Sequence, residues 1–237
     1  LTTIPRFQKE AAEIALQMSQ FSVDELERLL RVNAKIAVEN YKRYQAFHAE
    51  TTPELPALLA YTGIVFKRLN PKDFSAEDFG YAQEHLRLTS FCYGLLRPLD
   101  VIRAYRLEGD VVLPELGNQT LFSYWRSRLT DTFIEDIRSA GGILCNLASD
   151  EMKSLFDWKR VEKEVHVITP EFQVWKNGKL ASIVIYIKMS RGEMTRFILK
   201  NRIENPEDLK SFSWEGFEFN ESLSNEKKFV FTNGKEI

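Results

Sequence analysis

VHVITPEFQVWKNGKLASIVIYIK, residues 165–188, is the stretch on which the reading of the fold turns. Val165 to Trp175 and Leu180 to Lys188 are both rich in β-branched and aromatic residues, and Asn177-Gly178 lies between them. Asn-Gly in that position predicts a type I′ hairpin, whose two central residues must both take positive φ. On the second strand Ile183, Ile185 and Ile187 would share one face, and Val184, Tyr186 and Lys188 the other. A helix is expected to follow from about Arg191 to Arg202.

Upstream the pattern is mainly helical. Ala11, Ala12, Ile14, Ala15 and Met18 recur at helical spacing. Ser22 precedes Asp24, Glu25 and an apolar stripe at Leu26, Leu29 and Leu30, which reads as a capped helix. A further helix is expected over 33–48. Leu58 to Tyr61 reads as a short strand ending at Gly63. Residues 64–88 read as two helices joined at Asn70-Pro71, the second capped by Ser75. A helix over 119–140 stops at Gly141-Gly142, Ile143 to Leu147 reads as a strand, and Ser149 can cap the next helix. Residues 203–237, with eight acids against four bases, read as a peripheral wrap. The expectation is an α+β fold in a single domain over residues 1–237, a mixed sheet with the hairpin in its C-terminal half and helices around it.

Composition narrows the class. The net charge of −2 provides no global attraction for polyanions, so a nucleic-acid role needs a local basic patch. Cys92 and Cys145 are too few for a disulfide framework and point to a reducing compartment. No apolar run reaches the ~18 residues of a membrane span, and no signal peptide is visible.

Three polar-basic segments can carry chemistry. The first is YGLLRPLD, residues 93–100, continuing into YRLE, 105–108. Arg97 and Arg106 are forked donors suited to phosphate or carboxylate. Tyr93, Gly94, Asp100 and Glu108 surround them, and Arg97–Asp100 and Arg106–Glu108 also read as plain structural ion pairs. The second is NLASDE, residues 146–151, where Asn146 and Ser149 stand at a strand-to-helix transition whose free N–H groups could hold an anion or simply cap the helix. The third, from Tyr186 to Arg202, has five bases, Lys188, Arg191, Arg196, Lys200 and Arg202, against one acid, Glu193. It suits phosphate contacts, with Tyr186 available to stack on a base and Gly192 allowing close approach, and reads equally as a solvated helix face.

Several classes are set aside. There is no P-loop or dinucleotide fingerprint, no G-x-S-x-G elbow, and His48, His85 and His166 lie far apart without metal-ligand spacing, so no cofactor and no metal are expected. Both cysteines have apolar neighbours, where a thiol is normally inert, which disfavours a thiol peroxidase.

YGLLRPLD, YRLE, NLASDE and KMSRGEMTRFILKNR (188–202), in that order, resemble the YaaA family, and the likeness extends over essentially the whole chain. The family's usual opening strand and Ser-Pro-Ala-Lys-Thr-like motif are not among these residues, which begin at Leu1. The resemblance implies a bacterial, cytoplasmic protein linked to hydrogen peroxide resistance and lowered free iron. It also implies an unusual α+β fold with a helix-hairpin-helix-like element, a positive cleft and DNA as partner. Carried onto this chain, it makes Arg97, Arg106, Lys188, Arg191 and Arg196 cleft residues and puts Lys67, Arg68 and Lys72 on the hairpin. The expected function is DNA binding in the peroxide stress response by a monomer, selective for DNA structure rather than sequence. The alternative is an enzyme acting on a nucleotide or damaged nucleic acid, with Lys188 as nucleophile or base beside Tyr186. Direct iron binding is a weaker third, since the acids show no ligand spacing.

Overall fold

The structure, a computed structural model, describes residues 1–236. In chain order the helices are α1 (Gln8–Met18), α2 (Val23–Leu30), α3 (Ala34–Ala46), α4 (Ala57–Ala60), α5 (Ile64–Leu69), α6 (Ala76–His85), α7 (Leu121–Ser139), α8 (Trp158–Glu164) and α9 (Val184–Asn201). The strands are β1 (Leu55–Pro56), β2 (Leu88–Ser90), β3 (Gly94–Leu96), β4 (Val101–Ile102), β5 (Val112–Leu113), β6 (Gln119–Thr120), β7 (Ile143–Cys145), β8 (His166–Lys176), β9 (Lys179–Ala181), β10 (Phe217–Phe219) and β11 (Lys228–Glu236). The fold class is α+β, as expected. Contacts gather these elements into two compact units, each threaded from three stretches of chain.

The first unit comprises residues 1–60, 86–135 and 150–160. Its helical layer is α1 to α3, with Ile14, Met18, Leu26, Leu30 and Tyr44 buried beneath it. The cap expected at Ser22 forms a full capping box: Glu25 N–H donates to Ser22 Oγ, and Ser22 N–H to the Glu25 carboxylate. Short antiparallel ladders, β1 with β4, β2 with β3 and β5 with β6, complete the unit. The strand expected at 58–61 is instead the helical turn α4. The extended ladder stops at Pro56, the Ala57 and Leu58 N–H groups donate to Asp100 O and Pro98 O, and Ala-Leu-Leu-Ala has strong helix propensity.

The second unit comprises residues 61–85, 136–149 and 161–237. Its sheet runs β10-β11-β8-β7, with β9 also paired to β8; β8 is parallel to both β7 and β11. The Asn-Gly turn forms as expected, with φ of 51° at Asn177 and 71° at Gly178. The second strand, however, ends at Ala181, and the apolar run beyond it is the start of α9. A short apolar β-branched run cannot be assigned by periodicity alone, and here packing decides. In helical geometry Ile183, Tyr186 and Ile187 lie on the core cluster while Val184 stays 65% exposed. Tyr186 and Lys188 therefore sit on a helix, not on one face of a strand. The peripheral wrap expected over 203–237 is also corrected. β11 lies between β10 and β8, and Phe212, Phe217, Phe229 and Phe231 are buried with Phe172 and Met194 in the core of this unit.

Candidate functional site

In the first unit the loop after β3 is organised by Asp100. This buried carboxylate accepts from the Arg97 N–H at 2.8 Å, from Arg97 Nη2 at 3.1 Å and from Thr3 Oγ1 at 2.6 Å. Arg97 is thus occupied by its own aspartate, and its position is set by that pair. Tyr93 is buried, its hydroxyl accepting from the Arg103 N–H at 3.0 Å. Gly94 has φ of 72°, and a Cβ there would come within 2.6 Å of Trp125, so the residue is required by close packing. The Arg106 side chain is exposed, while its carbonyl accepts from the buried Tyr44 hydroxyl. Glu108 is half-buried; burial raises its carboxyl above the usual range, with Arg106 and Arg31 opposing and Glu151 reinforcing the shift.

The second unit carries the basic segment. α5 and α6, joined by a 3-10 turn at Pro71–Asp73, are the two helices expected over 64–88. α9 holds that element through charge. Arg196 donates to Asp73 from both terminal nitrogens, at 2.8 and 2.6 Å, and to the carbonyls of Leu69 and Asn70 at 3.1 and 3.0 Å, closing the frayed end of α5. Lys200 and Arg202 donate to opposite oxygens of buried Asp78, at 2.7 and 2.8 Å. Asp78 also accepts from the Ser75 N–H at 2.9 Å as part of a capping box. The Lys200 bond, the Ser75 N–H and the Arg202 bond, in that order, hold the Asp78 carboxyl far below its ordinary range. The Arg196 bond likewise lowers that of Asp73.

Gly192 is buried where α9 crosses α5, against the Val65 carbonyl. The close approach it permits is helix to helix. Arg68 lies over the Trp214 ring at 5.3 Å from its centroid and 3.7 Å from Glu193. Arg191 is half-buried, and Tyr186 is half-buried against the core, its ring 6.3 Å from that of Phe217. Lys67, Lys72 and Lys188 are exposed, and among the described residues none of them makes an ion pair. Asn146 is buried at the end of β7; its Oδ1 accepts from the Ala148 N–H at 3.2 Å, and its Nδ2 has no hydrogen-bond partner among the described residues. Ser149 is half-buried.

Sequence reasoning missed the anionic half of this network. Asp78 was legible, since it stands three residues after the Ser75 cap. Asp73, which reaches across 123 residues to Arg196, left no local signal.

The sequence profile of the family described as "Peroxide stress protein YaaA" matches residues 1–223. The chain belongs to the YaaA family. A UPF0246 protein of Bacteroides thetaiotaomicron is 92% identical over 234 residues, 99% of this chain and 91% of its own length. A UPF0246 protein of Clostridium beijerinckii is 38% identical over 232 residues, 97% of this chain and 89% of its own length. For a YaaA-family chain the thiols are of interest, because peroxide attacks thiolates. Burial pushes the Cys145 thiol up to about 12 and raises that of the fully buried Cys92 as well. Among the described residues no group of three or more His, Cys, Asp or Glu side chains could hold a metal ion, and no helix is long and apolar enough to cross a membrane.

Proposed function

We propose that this YaaA-family protein serves the peroxide stress response by binding DNA in the cytoplasm as a monomer. It grips the phosphate backbone and selects DNA structure rather than base sequence. The observation that carries this reading is a division of labour among the cations of the second unit. Arg196, Lys200 and Arg202 are consumed by Asp73 and Asp78. Lys67, Lys72 and Lys188 stay exposed, without an ion pair among the described residues, on the elements those pairs brace. Exposed ammonium groups on a fixed frame suit phosphates, since phosphate contacts position a duplex without reading it. Within the second unit Arg191 is a half-buried further candidate, whereas Arg68 stands beside Glu193; in the first unit Arg106 is exposed and Arg97 is held by Asp100.

The test is fluorescence anisotropy with duplex, bubble and single-stranded DNA over a range of salt. Log affinity should fall by ~0.9 per phosphate contact per log unit of salt. The variant carrying Lys67→Ala, Lys72→Ala and Lys188→Ala should lose roughly three contacts' worth of that slope. An unchanged slope would overturn the assignment. For the enzymatic alternative with Lys188 as nucleophile, borohydride trapping on abasic DNA is the direct assay; Lys188 stands exposed in α9, whereas a reactive amine is usually desolvated.

A further inference from the structure

We propose that a concavity along α7, within the first unit, binds a phosphate group carried on a sugar. Its volume is about 320 Å³, and Ser123, Arg126, Ser127, Asp131, Asp157 and Arg160 line it. This rests on observations separate from the DNA reading and uses none of its residues.

The walls are fixed. Arg126 Nε and Nη2 donate to the Ser154 carbonyl at 3.3 and 3.2 Å, tying α7 to the 3-10 segment Asp150–Leu155. The Asp157 N–H donates to Thr130 Oγ1 at 2.9 Å, Arg160 Nη1 meets Asp131 at 2.5 Å, and the Phe133 and Phe156 rings stack 4.3 Å apart. Four links join α7 to residues 154–160 and hold the two walls together before any ligand arrives.

The lining is mixed in a way that selects a ligand. Arg126 makes no ion pair among the described residues, and with Nε and Nη2 on the Ser154 carbonyl its Nη1 donors remain for an oxyanion. Ser123 and Ser127 stand four apart on α7 and present hydroxyls to one side. Asp131 is neutralised by Arg160, and Asp157 caps α8 by accepting from the Arg160 N–H at 3.3 Å, leaving carboxylate oxygens as acceptors. A bare phosphate would use the cation and hydroxyls but face two carboxylates. A sugar phosphate uses both, its hydroxyls donating to the aspartates. The volume lies at the small end of ligand pockets, enough for one such unit and far too little for a duplex.

The same chemistry could come from a free sugar phosphate or from the 5′-phosphorylated end of a nucleic acid, so the experiment has both arms. Calorimetry on the full chain would use ribose 5-phosphate, ribose, inorganic phosphate, and a dinucleotide with and without its 5′-phosphate. We expect saturable 1:1 binding of a phosphorylated sugar, with ribose at least tenfold weaker. Arg126→Gln should weaken it at least tenfold. Ser127→Asp, at an exposed position with no hydrogen bond among the described residues, should do the same by repulsion while the thermal melt stays unchanged. Binding only by the 5′-phosphorylated dinucleotide would assign the site to nucleic-acid ends. No saturable binding by any phosphorylated probe, or binding indifferent to both substitutions, would overturn the proposal. The triple lysine variant should bind ribose 5-phosphate normally, which separates a failure here from a failure of the DNA reading.

Discussion

The Cα of Gly192 in α9 faces the carbonyl oxygen of Val65 in α5 so closely that a Cβ at 192 would overlap it, with Arg68 Cβ only 2.7 Å away on the same side. The oxygen belongs to helical backbone and cannot turn aside, so any side chain at 192 must push the helices apart. Gly192→Ala should cost about 1–3 kcal/mol, the usual range for overpacking, lowering Tm by roughly 3–10 °C for a chain of this size. Thermal unfolding measures it. A ligand-facing role for Gly192 would give the opposite pattern, unchanged stability with lost DNA affinity.

Arg196 and Lys188 lie two turns apart on the same helix but should respond differently to truncation. Arg196→Ala removes the bidentate partner of Asp73 and the donor to two α5 carbonyls, so it should lower stability by about 1–3 kcal/mol. Lys188→Ala, exposed and outside any ion pair among the described residues, should leave unfolding within about 0.5 kcal/mol and reduce DNA affinity with a shallower salt slope. Urea titrations and anisotropy on the same two variants check both halves.

Asp78 gives the pH dependence. Its carboxyl is held well below the ordinary carboxylate range in the folded chain and returns to about 3.9 when unfolded. The unfolded state therefore binds the proton more readily, and the stabilisation from Lys200, Ser75 and Arg202 is complete above pH 4. It is lost as pH falls from there toward the depressed value. Asp78→Asn should destabilise at pH 7 by on the order of 2–3 kcal/mol, from the cap and two charged donors. The gap from the parent should narrow as pH drops below 4. A gap that widens on acidification would contradict the assignment.

Most features set by near neighbours match the expectation, with Leu58 to Tyr61, expected as a strand and found to begin in the helical turn α4, as the exception. The Ser22 capping box, the Asn177-Gly178 turn and the α5–α6 pair each depend on neighbours within a few residues. The run from Ile183 to Ile187 was misplaced because its side chains suit a strand as well as a helix, and only burial of Ile183, Tyr186 and Ile187 on the Phe172–Phe231 cluster separates the two. The C-terminal segment was underestimated for a related reason. β11 pairs in parallel with β8, and a parallel partner some sixty residues away in sequence leaves no turn signal. The basic segments were found by charge, but their meaning was not. Whether an arginine faces solvent or a carboxylate depends on residues such as Asp73, more than a hundred positions away.

Glu108 is a carboxylate whose burial works against its charge. Its raised folded-state value means the folded chain binds the proton more readily than the unfolded one between about 4.3 and that value. Stability therefore falls as pH rises through this window. Glu108→Gln should be neutral or stabilising at pH 7 and should flatten the profile above pH 4, seen by guanidinium midpoints. A clear loss of stability at pH 7 would mean that its attraction to Arg106 and Arg31 outweighs the cost of burial.

Cys92 and Cys145 test whether this YaaA-family chain carries a reactive thiol. Both thiols are raised by burial, Cys145 to about 12, so at pH 7.5 the thiolate fraction at either is negligible. Neither should react with a disulfide reagent in the folded chain, and both should react promptly in guanidinium. Millimolar hydrogen peroxide should leave the intact mass unchanged at these positions over minutes. Cys145→Ser and Cys92→Ser should abolish no peroxide-linked activity, though Cys92→Ser places a hydroxyl in a fully buried site and should cost about 1–3 kcal/mol of stability. Rapid labelling of a native cysteine, or a sulfenic acid trapped at Cys145, would show that the strand around it opens. Peroxide sensing would then have to be considered at that thiol.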